Sequence, residues 1–182
     1  PNNFDISSVE TMSSMFSRSG LKTIILPKMD SMKLKDISSM FEGCNSLQKL
    51  DLTNFTTYNV LNMRSLFKEC TSLDNLILSE YFDTSKVTDM TSMFERASSI
   101  SYLPIEDFNT RNVISMANMF KDCSGLYTLN PSRFITDNVE DMSYMFSGCS
   151  KLTFSNAENF NTKNVKNFEG MFQRSDLLTF LD

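Results

Sequence analysis

Four cysteines, Cys44, Cys70, Cys123 and Cys149, are the residues of this 182-residue chain best equipped for chemistry. A thiolate can attack a carbonyl, ligate a soft metal or close a disulfide. Catalysis would need an activating base nearby, and a metal site would need several ligands converging on one point. The sequence has no histidine, which removes the commonest proton shuttle and the commonest metal ligand. The carboxylate pairs Glu106-Asp107 and Glu140-Asp141 are adjacent in sequence. Neighbours on a helix or strand point different ways, so neither pair reads as an acid–base dyad. The five glycines form no phosphate-cradling loop. No catalytic, cofactor-binding or metal-ligating set emerges, and an enzyme is not expected.

The cysteines mean something else once their spacing is read. All four occupy one slot of an internal repeat, which Ser19, Ala97 and Ser175 hold in other copies. The clearest marker is Met-Phe or a close variant: Met15-Phe16, Met40-Phe41, Leu66-Phe67, Met93-Phe94, Met119-Phe120, Met145-Phe146 and Met171-Phe172. Successive Phe spacings are 25, 26, 27, 26, 26 and 26. Seven units begin at Val9, Leu34, Val60, Val87, Val113, Val139 and Val165. The consensus unit reads V-x-x-M-x-x-M-F-x-x-C-x-x-L-x-x-L-x-L-x-x-F-x-T. A slot shared by Cys, Ser and Ala calls for small size, and buried free Cys behaves as a small hydrophobe. Disulfides between adjacent coils, Cys44–Cys70 and Cys123–Cys149, remain the alternative and need Cα atoms within ~7 Å.

These side chains must be positioned by stacked repeats. Within each unit, apolar residues at relative positions 0, 3, 6, 7 and 10 lie on one face of an α-helix, as in Val60, Met63, Leu66, Phe67 and Cys70. Thr57, Thr84, Thr110, Thr136 and Thr162 stand where helix N-caps belong. The L-x-L segment alternates with period two and predicts a short strand. The expected fold is therefore α/β: a leucine-rich-repeat-like curved solenoid of about seven coils, each with one helix and one short parallel strand, forming a single array over residues 1–182. Equivalent residues stack into ladders because one unit cannot bury its apolar face alone. This accounts for the 13 Met and 16 Phe as core composition. Helices pack at ~8–10 Å and strands at ~4.8 Å, so the strands should line a concave face. The chain starts and stops in mid-pattern, as a piece of a longer protein would.

The unit closely resembles the leucine-rich repeat of the BspA-like surface proteins. The nearest matches are Thr84-Ser85-Lys86-Val87-Thr88-Asp89-Met90-Thr91-Ser92-Met93-Phe94 and the stretch from Asn138-Val139 through Met145-Phe146-Ser147-Gly148-Cys149 to Leu152. The resemblance covers nearly the whole chain. It implies a cell-surface or secreted adhesin or interaction protein with no shared catalytic residues. Coil six departs from the pattern, with Ser155 and Ala157 where strand leucines are expected, and should pack more loosely.

The expected partner is a protein of a host cell, a neighbouring cell or the matrix. The chain carries 17 basic and 22 acidic residues, a net charge of −5, and no basic block, which argues against nucleic acid. No apolar run approaches the ~20 residues of a membrane-spanning helix. Contact residues should lie on outward-facing strand positions: Ile25, Lys49, Asp51, Asn75, Ile77, Tyr102, Glu106, Thr128, Asn130, Phe154, Asn156 and Glu158. Ile25, Ile77, Tyr102 and Phe154 stand out there, although single exposed apolar residues are ordinary. The alternative function is a structural spacer or a scaffold that stacks end to end, since neither end shows an evident polar cap. Asn54-Phe55-Thr56 matches a glycosylation sequon that matters only in a eukaryotic secretory host.

Overall fold

The computed structural model of the chain describes residues 5–131, 134–154 and 160–178. Five short strands form: β1 (Thr23–Ile25), β2 (Lys49–Leu52), β3 (Asn75–Leu78), β4 (Thr128–Leu129) and β5 (Thr153–Phe154). They make two parallel sheets, ordered β1-β2-β3 and β4-β5. Pairing runs in phase with the repeat: Ile24 lies beside Leu50 and Leu50 beside Leu76, so the buried leucines form one row. The sheet lapses in the coil between β3 and β4, where Pro104 stands. Proline has no N–H to give a ladder.

The helices expected in each coil do not form; the described residues contain none. That half of each coil is a ribbon of tight turns. In the third coil Leu66 N–H donates to Met63 O, Lys68 N–H to Ser65 O and Cys70 N–H to Phe67 O, each bond spanning three residues. The intervening N–H groups of Met63, Ser65, Phe67 and Glu69 leave the coil and donate to Asp89, Thr91, Met93 and Glu95 of the next, at 2.7–3.0 Å. Arg64 N–H donates to Asn62 Oδ1 at 3.0 Å. Every N–H from Arg64 to Cys70 is thus satisfied without an α-helical bond, which meets the backbone's obligation in a different way.

Two residues per coil take the left-handed conformation to make this ribbon, for example Ser65 (φ 55°) and Glu69 (φ 59°). Gly43, Gly148 and Gly170 fill the same slots with φ of 70°, 74° and 58°. Left-handed backbone is ordinary for Gly and costs other residues roughly 1–2 kcal/mol. At Gly148 a side chain would also displace a neighbour: a Cβ there would lie 2.2 Å from Asp122 Oδ1, and that carboxylate would have to move. With no side chain between them, Arg174 reaches across two coils to that carboxylate at 3.3 Å.

The ribbon also removes the basis for a curved stack. On the turn side every coil is bonded to the next through backbone hydrogen bonds, as the strands are within each sheet, so no helix layer with a wider spacing wedges one side open. The bridges on the turn side run Thr11–Asp36–Asn62–Asp89–Ser115–Asp141–Asn167 without a break. The strands line one side of the stack, and its concavity is not supported.

The threonines likewise do not cap helices. Thr57, Thr84, Thr110 and Thr136 are buried and donate their hydroxyls to the next coil: to Asp83 O, Asn109 O, Ile135 O and Asn161 O at 2.8–3.1 Å. An exposed asparagine ladder does the same job outside. Asn112, Asn138 and Asn164 donate Nδ2 to Ser85 O, Arg111 O and Asp137 O at 2.6–2.8 Å.

The core is built of columns, as the repeat requires. Phe16, Phe41, Phe67, Phe94, Phe120, Phe146 and Phe172 stand in file, with successive ring centroids 5.2–5.9 Å apart and nearly parallel planes. Offset parallel rings at this separation gain about 0.5–1.5 kcal/mol per pair beyond area burial. Met63, Met90, Met116 and Met142 are fully buried beside the file.

Candidate interaction surfaces

The strand side carries most of the outward positions expected from alternation. Ile25 is 65% exposed and Tyr102 is 53% exposed, so both are open to a partner. Asn75, Glu106, Thr128 and Asn130 are also exposed, whereas Lys49, Asp51 and Ile77 are half-buried. The register sets Ile25, Asp51 and Ile77 side by side across three strands, with Thr23, Lys49 and Asn75 in the parallel row. Asn156, Glu158 and the side chain of Phe154 lie outside the described residues, as do Ser155 and Ala157.

Two of these residues act together. The Tyr102 hydroxyl donates to the Glu106 carboxylate, and this bond, followed by burial, raises the phenol's pKa. Asp51 accepts the N–H and the hydroxyl of Thr53 at 3.1 and 2.8 Å, and these bonds hold its carboxyl below the usual range. Tyr127, 61% exposed just before β4, is a large accessible side chain that the alternation rule missed. It sits one residue outside the L-x-L segment, so only its aromatic character could have flagged it.

The other chemical candidates resolve into structure. All four cysteines are free and buried. Each thiol donates to the Phe carbonyl of the preceding coil: Cys44 to Phe16, Cys70 to Phe41, Cys123 to Phe94 and Cys149 to Phe120, at 3.0–3.1 Å. Ser175 makes the same bond to Phe146 O at 2.6 Å. The slot therefore favours a small donor as well as small size; Ala97 supplies only the size. Burial pushes the Cys149 thiol up to about 12 and raises Cys44, Cys70 and Cys123 as well. With so little thiolate at neutral pH, the folded protein should react with none of a soluble disulfide reagent on the minutes timescale. All four thiols should react once it is unfolded in guanidinium. Fast stoichiometric labelling of the folded chain, read by absorbance, would contradict this burial.

Of the carboxylate pairs, Glu106 is taken by Tyr102, Glu140 pairs with Lys166 at 2.8 Å, and Asp141 Oδ1 accepts the Ser143 N–H at 2.8 Å. Glu140 and Asp141 thus have separate partners. Among the described residues no group of three or more His, Cys, Asp or Glu is placed to hold a metal ion. Among them, too, no helix is long and apolar enough to cross a membrane. In the sequon, Phe55 is buried and the Thr56 hydroxyl donates to Met29 O at 3.3 Å and to Asp30 Oδ1 at 3.2 Å.

Comparison with known proteins gives a family and a distant structural likeness. A family model described as "Mycoplasma protein of unknown function, DUF285" matches residues 2–100 and, a second time, residues 75–179. Among solved structures, the leucine-rich repeat protein TpLRR of T. pallidum is similar over 88% of this chain and 79% of that one, with 16% identity and a TM-score of 0.49. No curated protein matches the sequence.

Proposed function

The chain belongs to the DUF285 family, and from that premise we propose that it is a non-enzymatic protein-binding module of the BspA-like kind, working at a cell surface or after secretion, with the strand side as its contact face. The observation that carries this reading is the strand side, where parallel strands hold Ile25, Asp51 and Ile77 in register and the next coil adds Tyr102, with Ile25 and Tyr102 more than half exposed. Aromatic and aliphatic anchors with a polar surround are the composition of protein-contact sites. The coils are bonded to each other without a break along the turn side, so little ordering is needed on binding. The regular axial ladder also suits the second reading, a spacer or self-stacking scaffold.

The test is the double variant Ile25→Ser/Tyr102→Ser, compared with the wild-type chain for binding to intact cells and to a panel of immobilised matrix proteins. Loss of two exposed anchors should weaken binding about tenfold or more while Tm stays within a degree or so. Binding that is equal in the two proteins would refute the strand-side site. Mass that rises with concentration in light scattering, without binding, would favour the scaffold.

A further inference from the structure

A second surface follows the C-terminal ends of the first three strands. Here Lys28, Asp30, Asn54, Thr56, Tyr58 and Tyr81 line a cleft of about 330 Å³. The two tyrosine rings stand 6.3 Å apart at 67°, forming an aromatic corner. They are 38% and 45% exposed, so part of each ring is open to solvent.

The corner is held in place from behind. Tyr81 N–H donates to Ser79 Oγ at 3.2 Å and its carbonyl accepts the Thr57 N–H at 3.2 Å. Tyr58 sits in the turn closed by Val60 N–H to Thr57 O at 3.0 Å. Opposite, the Thr56 hydroxyl bonds to the Asp30 carboxylate.

The geometry points to a binding site for a neutral mono- or disaccharide, resting on the Tyr58–Tyr81 corner and hydrogen-bonded by Asp30, Asn54 and Lys28. The volume falls at the lower end of small-molecule sites, roughly 300–1,000 Å³, and is short for a folded partner's loop. The charges select neutrality. A cation drawn to the aromatic faces would meet Lys28, and an anion drawn to Lys28 would meet Asp30. A polyhydroxylated ring uses both signs: its hydroxyls donate to the carboxylate and accept from the ammonium, and the Asn54 amide does both. The C–H face of such a ring is apolar and fits a flat aromatic surface. This site does not depend on the strand-side reading, and the two can fail separately.

The test is saturation-transfer NMR followed by titration. The probes are the methyl glycosides of glucose, galactose, mannose and N-acetylglucosamine and their 1,4-linked disaccharides, with tetramethylammonium and inorganic phosphate alongside. At least one sugar should bind, with transfer strongest to its ring C–H protons. Tyr58→Ala and Tyr81→Ala should each weaken it about tenfold with Tm unchanged, since both rings are exposed. Tyr81→Phe and Ile25→Ser/Tyr102→Ser should bind as the wild type does. No transfer to any sugar, sugar binding that survives both alanine variants, or tighter binding of tetramethylammonium or phosphate would each overturn the assignment.

Discussion

Phe94→Ala should lower stability by about 3–5 kcal/mol, the usual range for removing a buried aromatic ring. Phe94 is fully buried at the middle of the file, 5.2 Å from Phe67 and 5.8 Å from Phe120. Its loss removes two ring contacts at once. The gap cannot close readily, because the backbone on either side is tied coil to coil: Phe94 N–H donates to Met119 O, and its carbonyl accepts both Ala97 N–H and the Cys123 thiol. In an array where each unit touches only its neighbours, a weak central interface also uncouples the two halves. Denaturation should therefore show a Tm lower by on the order of 10 °C and a broader transition. Ile25→Ser, at an exposed position, should change stability by no more than about 0.5 kcal/mol. Equal stability of Phe94→Ala and the wild type would mean that the file contributes nothing to the fold.

Thr110→Val should cost about 2–4 kcal/mol although it changes volume hardly at all. The Thr110 side chain is fully buried. Its hydroxyl donates to Ile135 O at 2.9 Å and accepts the Ile135 N–H at 2.8 Å. Valine leaves both backbone groups unpaired between two coils, and each buried unsatisfied group costs about 1–3 kcal/mol. Thr110→Ser keeps the hydroxyl and should lose much less. The local signature is amide exchange at Ile135, which should quicken in the valine variant ahead of amides in the phenylalanine file. If Ile135 stays as protected in Thr110→Val as in the wild type, the hydroxyl is not what holds the two coils together there.

The long-range order of this protein was plain in the sequence, and its local backbone was not. A repeat that places Phe67, Phe94 and Phe120 in one slot dictates a file of rings, and L-x-L dictates alternating strand residues; both are present. The helix expectation failed because spacing of 0, 3, 6, 7 and 10 suits any compact ribbon that turns its apolar side chains inward, and not the α-helix alone. Contrary signals were there. Asp36, Asn62, Asp89, Asp141 and Asn167 stand at the head of each ribbon, where their side chains accept the N–H two residues on. Such residues favour turns over helix interiors. Gly43, Gly148 and Gly170 would have been interior helix residues, a poor place for glycine. Once the helices go, so does the wedge that would have made the strand side concave. Of the candidate contact residues, Ile25 and Tyr102 are exposed as alternation alone predicts. The Tyr58–Tyr81 corner was not, because its members belong to different slots of successive units and meet only when the coils stack.

On the turn side the bonds that join the coils run from coil to coil along the stack, and the strand ladders add to them within each sheet. A load applied between the two ends therefore pulls these bonds apart in the direction they point, a few at a time, rather than shearing a whole set together. Under tension the protein should yield one turn after another from an end. Each released unit of about 26 residues should pay out roughly 90 Å of extended chain, so strain would be taken up in instalments.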